Sequence, residues 1–380
     1  MTSPSTARDG YCDPFRGRPR VSSRTALLLM LIIVGGTTQR LAVAADGAAI
    51  LVYHHVDAET PRSTSVTPER FSAHLDYLAR HDFTVSPLLD VLESIRTGEE
   101  LAAKTVVLTF DDGYVSVLEN AAPLLRERGW PFTVFVSSDY VDQGYGGYLT
   151  WDQLRQLAGD GATIGNHTRT HAHLVRHQTD ESAAAWQQRV RGEITAAGQR
   201  IADELGDAAI PVLAYPYGEY DLAVKEVARD LGLFAVGQHS GAVGSQSDLL
   251  AAPRYPVATG YDELEDFELR VNSRALPAQL VGSERHLVDA EETQPALTLR
   301  LADGDYRTGE LACYASNQGL MNLSSASDNP QEIIIQPRQP LRAGRTKYNC
   351  TAPATSEPGV YYWYSFLWIK RNDDGSWYAD

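Results

Sequence analysis

The sequence is poor in basic residues and in cysteine, and each shortage excludes a class of protein. Its 380 residues include 33 Lys and Arg against 49 Asp and Glu, for a formal net charge of −16. Without an excess of cations to neutralise phosphates, electrostatic binding of nucleic acid is not expected. Hydrophobic residues make up 43% of the chain and charged residues 22%, which supports a buried core and excludes global disorder.

The chain also lacks a long hydrophobic run. The apolar stretch Ala26–Val34 is too short to span a bilayer well. It follows an Arg-rich segment and precedes Ala42–Ala44 (AVA), a small-residue cleavage site. This order predicts a secretory signal peptide over residues 1–44, with a signal anchor as the alternative. We therefore expect a secreted or periplasmic protein that keeps no stable membrane span after signal cleavage.

Only three cysteines are present, and Cys12 lies in the predicted signal peptide. The remaining pair, Cys313 and Cys350, would meet an oxidising compartment, where an even count indicates one disulfide. Two isolated thiols make a poor zinc site, so we expect a structural role.

The pattern of apolar residues changes once along the chain. Residues 48–275 alternate strand-like runs with amphipathic helical ones, which indicates a parallel sheet, open or closed into a barrel. Beyond Leu276-Pro277, short strand candidates follow one another without helices. We therefore predict an α/β domain over residues 45–276 and a small β-sandwich over residues 277–380. The aromatic run Tyr361–Trp368 is expected to fill the sandwich core, although outward rings could stack on sugars.

Two adjacent carboxylates, Asp111 and Asp112, come directly after the strand candidate Thr105–Phe110. Because neighbouring side chains cannot share an orientation, one could bind a cation while the other takes protons. The following Gly113 permits a sharp exit from the strand. The alternative is that the pair only caps the next helix.

Two further segments also follow predicted strands. His167 and His171 are four residues apart, a spacing that in a helical turn lets both imidazoles converge on one ion. Two solvated surface histidines are the alternative. The turn Tyr215–Gly218 could aim a backbone N–H into the same site, or could be an ordinary turn.

Taken together, these segments resemble the polysaccharide deacetylases, the NodB-homology domain of carbohydrate esterase family four. TFDDG at Thr109–Gly113, HTxxH at His167–His171 and PYG at Pro216–Gly218 occur in that family's order and approximate spacing. The resemblance covers roughly residues 48–260 and does not reach the tail. It implies an irregular (β/α) barrel with its reactive residues at the C-terminal ends of strands.

The resemblance also implies roles for single residues. Asp112, His167 and His171 would bind a divalent metal, usually Zn²⁺, with Co²⁺ or Ni²⁺ as other candidates. Asp111 would be the general base, and the backbone N–H of Tyr217 would help to bind the oxyanion.

The chain departs from the common family pattern at two places. Most members carry Arg two residues before the Pro of the PYG turn, where this chain has Ala214, and they carry a late Leu-x-His that is absent here. An early Tyr53–Val56 (YHHV) instead resembles the branch that de-N-acetylates exported poly-β-1,6-N-acetylglucosamine, which implies His54 as general acid. Arg254 is the candidate replacement for the missing Arg and is expected among the substrate-binding residues, with an ordinary surface Arg as the alternative.

We therefore expect metal-dependent hydrolysis of N-acetyl groups from a β-linked N-acetylglucosamine polysaccharide, with release of acetate. An O-acetyl esterase on an acetylated polysaccharide and a glycan-binding protein without turnover are the alternatives. An iron oxygenase would also use two His and one carboxylate, but its close His-x-Asp pair is absent. The sequence carries no indication of an oligomeric state.

Overall fold

A computed structural model describes residues 47–289, 291–326 and 329–379, which belong to one compact unit spanning residues 42–380. The predicted signal peptide lies outside the described residues. No helix within these ranges has the length and apolar character needed to cross a membrane. The division at residue 276 stays a prediction.

The described residues form eight α-helices and 21 strands. The helices are α1 (Pro68–Arg80), α2 (Leu88–Thr97), α3 (Ala122–Arg128), α4 (Ser138–Asp142), α5 (Trp151–Gly159), α6 (Ala183–Leu205), α7 (Leu222–Asp230) and α8 (Leu264–Val271). The strands are β1 (Gly47–Tyr53), β2 (His55–Val56), β3 (Ser65–Val66), β4 (Thr84–Val85), β5 (Thr105–Phe110), β6 (Phe132–Val136), β7 (Ala162–Asn166), β8 (Ala209–Ala214), β9 (Phe234–Val236), β10 (Val243–Gly244), β11 (Tyr255–Pro256), β12 (Arg274–Ala275), β13 (Ala278–Leu280), β14 (Leu287–Val288), β15 (Leu297–Leu301), β16 (Ala312–Ala315), β17 (Gly319–Leu320), β18 (Asn322–Ala326), β19 (Asn329–Gln336), β20 (Gly344–Pro353) and β21 (Tyr361–Lys370).

A nine-stranded sheet carries the first half of the structure. Its order is β10-β1-β5-β6-β7-β8-β9, with β11 beside β1 and β4 beside β5, and only β10 is antiparallel to its neighbour. Strands β5 and β6 are buried along their whole length, as expected for strands covered on both faces. The segment 249–256 pairs Ala252 with Val236 and Tyr255 with Leu51, so it lies between β9 and β1. The sheet therefore curls into the predicted irregular barrel.

Side-chain caps explain where several helices begin. Thr67, Thr150 and Asp221 each accept a hydrogen bond from the backbone N–H three residues later, at the start of α1, α5 and α7. A π-helical turn over Val117–Ala121 precedes α3. Pro123 near the start of α3 removes one backbone donor, which accounts for this change of helical register.

The predicted C-terminal β-sandwich is confirmed. A six-stranded sheet has the order β12-β21-β20-β16-β17 with β14 beside β21, and a four-stranded sheet has the order β13-β15-β19-β18. Leu299 and Ile335 from the smaller sheet share one core with Tyr348 and Phe366 from the larger. The Cys313–Cys350 disulfide is also present and joins opposed residues of β16 and β20.

Strand β21 lies between the sandwich core and the barrel. Phe366 and Trp368 face the sandwich core, whereas Leu367 and Ile369 pack with Leu213 of β8 in a separate core. No side chain of β21 is exposed. The second half of the aromatic run therefore fills cores, as predicted, whereas the four rings of Tyr361–Tyr364 are half-buried.

Candidate active site

Three of the predicted residues converge at the C-terminal edge of the barrel sheet. One carboxylate oxygen of Asp112 lies 3.3 Å from Nε2 of His167 and 3.3 Å from Nε2 of His171. Potential ligand atoms of the three residues all lie within 4.8 Å of one another. Strands β5 and β7 deliver these residues from either side of β6, because parallel strands end at the same edge of a sheet.

The histidines converge without the expected helical turn. The chain leaves β7 in an irregular loop, in which Thr168 and His171 have φ values of +67° and +58°. Asp112, opposite them, has a φ of +71°. Left-handed backbone costs a non-glycine residue about 1–3 kcal/mol and clusters at functional sites. The prediction of a helical turn was wrong because local backbone strain, rather than helical spacing, brings the imidazoles together.

Glu193 of α6 holds this loop in place. Its buried carboxylate accepts hydrogen bonds from the backbone N–H of Thr170 at 2.9 Å and from the hydroxyl of the same residue at 3.0 Å. The backbone carbonyl of Glu193 accepts the N–H of Arg169 at 3.0 Å. The sequence analysis did not predict a role for Glu193, because in the sequence it is one acidic residue among others in a long amphipathic helix.

The hydrogen bonds of His167 suit a metal ligand. Nδ1 donates to the backbone carbonyl of Ala214 at 2.8 Å, which leaves Nε2 with its lone pair. Nε2 is buried and has no hydrogen-bond partner among the residues that the structure describes. Buried polar atoms are rarely left unsatisfied. An orphaned nitrogen beside a carboxylate and a second imidazole fits a divalent cation.

The electrostatics favour a cation at the same point. Burial alone would raise the pKa of Asp112, but the imidazoles of His167 and His171, each 3.3 Å from its carboxylate, hold that pKa well below its usual range. Burial lowers the pKa of His167, and the carboxylates of Asp112 and Asp111 outweigh this effect and raise it. The negative potential that attracts a proton here would also attract a metal ion.

Asp111 points to a different set of partners. It is fully buried, and its two oxygens each accept a hydrogen bond of 2.7 Å from the guanidinium of Arg254. Gln238 donates a third bond of 3.2 Å. Burial would raise the pKa of Asp111, but Arg254, together with the imidazoles of His167 and His54, outweighs burial and the pKa is lowered. Asp111 is therefore held as an oriented carboxylate.

The position of Arg254 corrects the expectation that it binds substrate. Its side chain is fully buried. Besides Asp111, the guanidinium donates to Thr109 at 3.1 Å and to the backbone carbonyl of Gly237 at 2.8 Å. These contacts leave it no surface toward a substrate. It lies in the segment 249–256 that links β9 to β1, and its contact with Asp111 supports the prediction that it replaces the missing family Arg, rather than the alternative of a surface Arg.

His54 lies next to Asp111 across the sheet. Each residue follows a paired strand position, since Tyr53 pairs with Phe110, and the N–H of Asp111 donates to the carbonyl of Tyr53 at 2.9 Å. His54 is partly exposed, and its imidazole makes a smaller contribution than Arg254 to the lowering of the Asp111 pKa. The neighbouring His55 instead stacks on Tyr114, with ring centroids 3.5 Å apart.

Tyr217 lies beside the histidines in a short 3-10 turn after β8. Its φ is +59°, and its ring centroid lies 4.5 Å from that of His171. His173 stacks on the Tyr217 ring, with centroids 3.7 Å apart, and donates from Nδ1 to the buried carboxylate of Glu219 at 2.8 Å. The close approach of Gln238 leaves no room for a side chain at Gly218, where a Cβ would lie 2.8 Å from Gln238 Cβ.

Tyrosine rings border the site on the side of His171. The Tyr140 ring lies 6.3 Å from that of His171 and 4.9 Å from Tyr148, which in turn lies 5.0 Å from Tyr114. Tyr145 packs on Tyr140 at 5.5 Å and is 47% exposed. This row of rings extends from His171 to the exposed Tyr145.

Comparison with known families agrees with this geometry. Residues 98–236 match the family model for polysaccharide deacetylase. Over this segment the chain is similar to polysaccharide deacetylases. The matched segment includes Asp111, Asp112, His167, His171 and Tyr217, so the predicted family and enzyme class, a hydrolase of carbon–nitrogen bonds, are confirmed at the level of the family.

The curated relatives of this chain are distant. YxkH of Bacillus subtilis (strain 168), named for the same family, is 24% identical over 214 residues, which are 56% of this chain and 71% of YxkH. The poly-β-1,6-N-acetyl-D-glucosamine N-deacetylase of Escherichia coli (strain K12) is 23% identical over 60% of this chain and 38% of its own length. The chain therefore spans well under half of the Escherichia coli enzyme.

Solved structures confirm the fold. The Streptococcus pyogenes deacetylase PplD in complex with acetate aligns with a TM-score of 0.53 and 22% identity, covering 59% of this chain and 98% of PplD. IcaB from Ammonifex degensii aligns with a TM-score of 0.51 and 23% identity, covering 57% of this chain and 94% of IcaB.

Proposed function

We propose that the protein is a metal-dependent N-deacetylase of an exported β-linked N-acetylglucosamine polysaccharide, with poly-β-1,6-N-acetylglucosamine as the first candidate. The observation that carries this proposal is the separation of two clusters around adjacent aspartates. Asp112 meets two imidazoles, one with an orphaned buried nitrogen, while Asp111 meets a guanidinium. A ligand set and an independently held base are the two parts that such a hydrolysis requires.

Asp112, His167 and His171 would hold the metal ion, because three protein ligands leave a coordination position open, as in catalytic zinc sites. A bound Zn²⁺, or Co²⁺ or Ni²⁺ in its place, would supply a Lewis acid that polarises the acetyl carbonyl and a water molecule.

The chain's own residues move the protons. Asp111, held ionised and oriented by Arg254, accepts a proton from the attacking water molecule. At the same time the oxygen of that water molecule bonds to the acetyl carbon. The backbone N–H of Tyr217 donates to the carbonyl oxygen as negative charge develops there. The carbon–nitrogen bond then breaks, His54 donates a proton to the leaving amine, and acetate is released.

The acid at His54 favours an amide over an ester substrate. An amine is a poor leaving group until it is protonated, whereas an ester alkoxide depends less on a general acid. The bordering tyrosines favour a carbohydrate, because amphipathic rings can cover the apolar faces of sugars. The named substrate of the Escherichia coli relative directs the proposal to the β-1,6-linked polymer.

The disulfide supports the proposed location outside the cytoplasm, since such bonds persist in oxidising compartments. We propose that the N-terminal segment directs export and that the enzyme is secreted or periplasmic. N-terminal sequencing of the exported protein should place the mature end close to Ala44.

Acetate release from a substrate panel tests the function. The panel is poly-β-1,6-N-acetylglucosamine, chitooligomers, peptidoglycan and acetyl-xylan. We expect release from the first, loss of release after chelation, and recovery with Zn²⁺ or Co²⁺. Release from acetyl-xylan alone would replace the proposal with an O-acetyl esterase. Tight glycan binding without release by any metal-loaded sample would indicate a binding protein.

A further inference from the structure

The larger sheet of the C-terminal sandwich makes direct contact with two turns of the catalytic site. Arg345 and Lys347 lie on β20, whose buried residues Thr346, Tyr348 and Cys350 alternate with them. The two cations therefore share the face of β20 opposite the sandwich core. Their partners in β21 are Ile369 and Leu367, which pack in the barrel-side core.

Arg345 holds the turn that contains Tyr217. Its Nη1 donates to the backbone carbonyl of Tyr217 at 2.9 Å, and its guanidinium lies 5.8 Å from the Tyr217 ring centroid. Its Nε also lies 3.9 Å from a carboxylate oxygen of Glu219. Glu219 accepts from His173, which stacks on Tyr217, and from the hydroxyl of Tyr378 near the C-terminus. The backbone and the ring of Tyr217 are therefore both anchored through one buried carboxylate and one cation.

Lys347 holds the turn that contains Gln238. Its ammonium donates to the backbone carbonyl of Gln238 at 2.5 Å, and the side chain of Gln238 donates to Asp111 at 3.2 Å. Burial and the neighbouring Arg345 lower the pKa of Lys347 to about 8. Lys347 of the sandwich is therefore connected to the proposed general base, Asp111, through one intervening residue, Gln238.

We propose that Arg345 and Lys347 are positioning residues for deacetylation, and that β20 sets the geometry of the Tyr217 and Gln238 turns from outside the barrel. This inference rests on the proposed function. Two side chains two positions apart on one rigid strand fix the relative placement of the oxyanion donor and of a hydrogen bond to the base. Small displacements of such groups reduce catalysis strongly, because reaction depends on the oriented approach of its groups.

Arg345→Met and Lys347→Met test the proposal, since Met keeps most of the apolar volume of each side chain and removes its donors. Arg300→Met is the matched control, because Arg300 pairs with Glu332 at the exposed surface of the smaller sheet. We expect kcat to fall about tenfold or more in both test variants, with KM within about twofold and metal content unchanged. Arg345→Lys, which retains one donor, should recover part of the loss, and Arg300→Met should match the wild type.

Hydrogen–deuterium exchange gives a readout that does not depend on activity. Amides in segments 215–219 and 237–240 should exchange about fivefold faster in the matching test variant than in Arg300→Met. Unchanged exchange in both segments, or an unchanged kcat in an active preparation, would overturn the proposal. If wild-type protein releases no acetate, the proposed function fails, while the exchange result still decides whether β20 holds the turns. The Arg345 variants alone decide the matter should Lys347→Met not fold.

Discussion

The barrel sheet and the C-terminal sandwich contribute to the site in different ways. Parallel strands of the barrel bring Asp111, Asp112 and the two metal-site histidines to one edge, so this region holds the groups assigned to the chemistry. The sandwich holds none of the predicted catalytic residues, yet it contacts the carbonyls of Tyr217 and Gln238. Reactive groups and the contacts that support them can therefore come from regions with separate cores.

The adjacent aspartates give the largest expected effects within the barrel. Asp112→Asn should lose metal and almost all activity, because a neutral amide cannot replace the anionic ligand. Asp111→Asn should keep the metal and lose activity by about 10²–10⁴-fold, because an amide cannot accept the proton of water. Metal analysis beside acetate-release rates makes the measurement. Metal loss in Asp111→Asn with retention in Asp112→Asn would reverse the two roles.

Substitution of one histidine in the barrel and one in the C-terminal region tests which region supplies the general acid. His54→Ala should lower kcat by roughly 10²-fold or more at constant metal content, because it removes the proposed general acid. His286→Ala should leave kcat near the wild-type value, since His286 is buried against Glu284 and the carbonyl of Leu367 in β21. A large loss of kcat in His286→Ala alone would move the general acid to the C-terminal region.

Removing Arg254 should change the pH dependence of the barrel site. With the Asp111 carboxylate as the proposed base, we expect activity to be lost as pH falls through its lowered pKa. Without Arg254 the burial that raises this pKa remains, although His167 and His54 still lower it. The acidic limb of the pH profile of kcat/KM should therefore move to higher pH in Arg254→Met, and should move less in Arg254→Lys. An unmoved limb in a folded variant would show that another group sets it.

The disulfide should give the smallest effect on activity. Replacing Cys313 and Cys350 together by Ala removes a bond between residues that are 37 positions apart in the sequence. For a loop of this length, chain-entropy arguments suggest a loss of roughly 3–4 kcal/mol in the free energy of unfolding. Hydrogen bonding between β16 and β20 would remain, so kcat in the folded variant should change less than twofold. Denaturant unfolding and acetate release provide the two measurements. A tenfold loss of kcat would show that the bond itself keeps β20 in its catalytic position.

The strength of the local pattern decided which elements could be predicted. Strand β5 has the predicted bounds because it is a continuous apolar run buried on both faces. Strand β20 was missed, since its inward residues include Thr346 and Cys350 and are separated by the polar residues of its other face. Its pairing with β16 and β21 formed a strand that the local pattern signalled only weakly.

The sequence by itself determined the order of motifs behind successive strands, and parallel pairing then required Asp112, His167 and His171 to meet at one edge. Only the tertiary structure decided how these groups are held. The partner of Asp111 lies 143 residues away at Arg254, and that of the Tyr217 carbonyl lies 128 residues away at Arg345. Such contacts depend on how the barrel curls and where β20 packs. The spacing of residues along the sequence does not predict them, because a buried charge is paired by whichever residue the fold brings within reach.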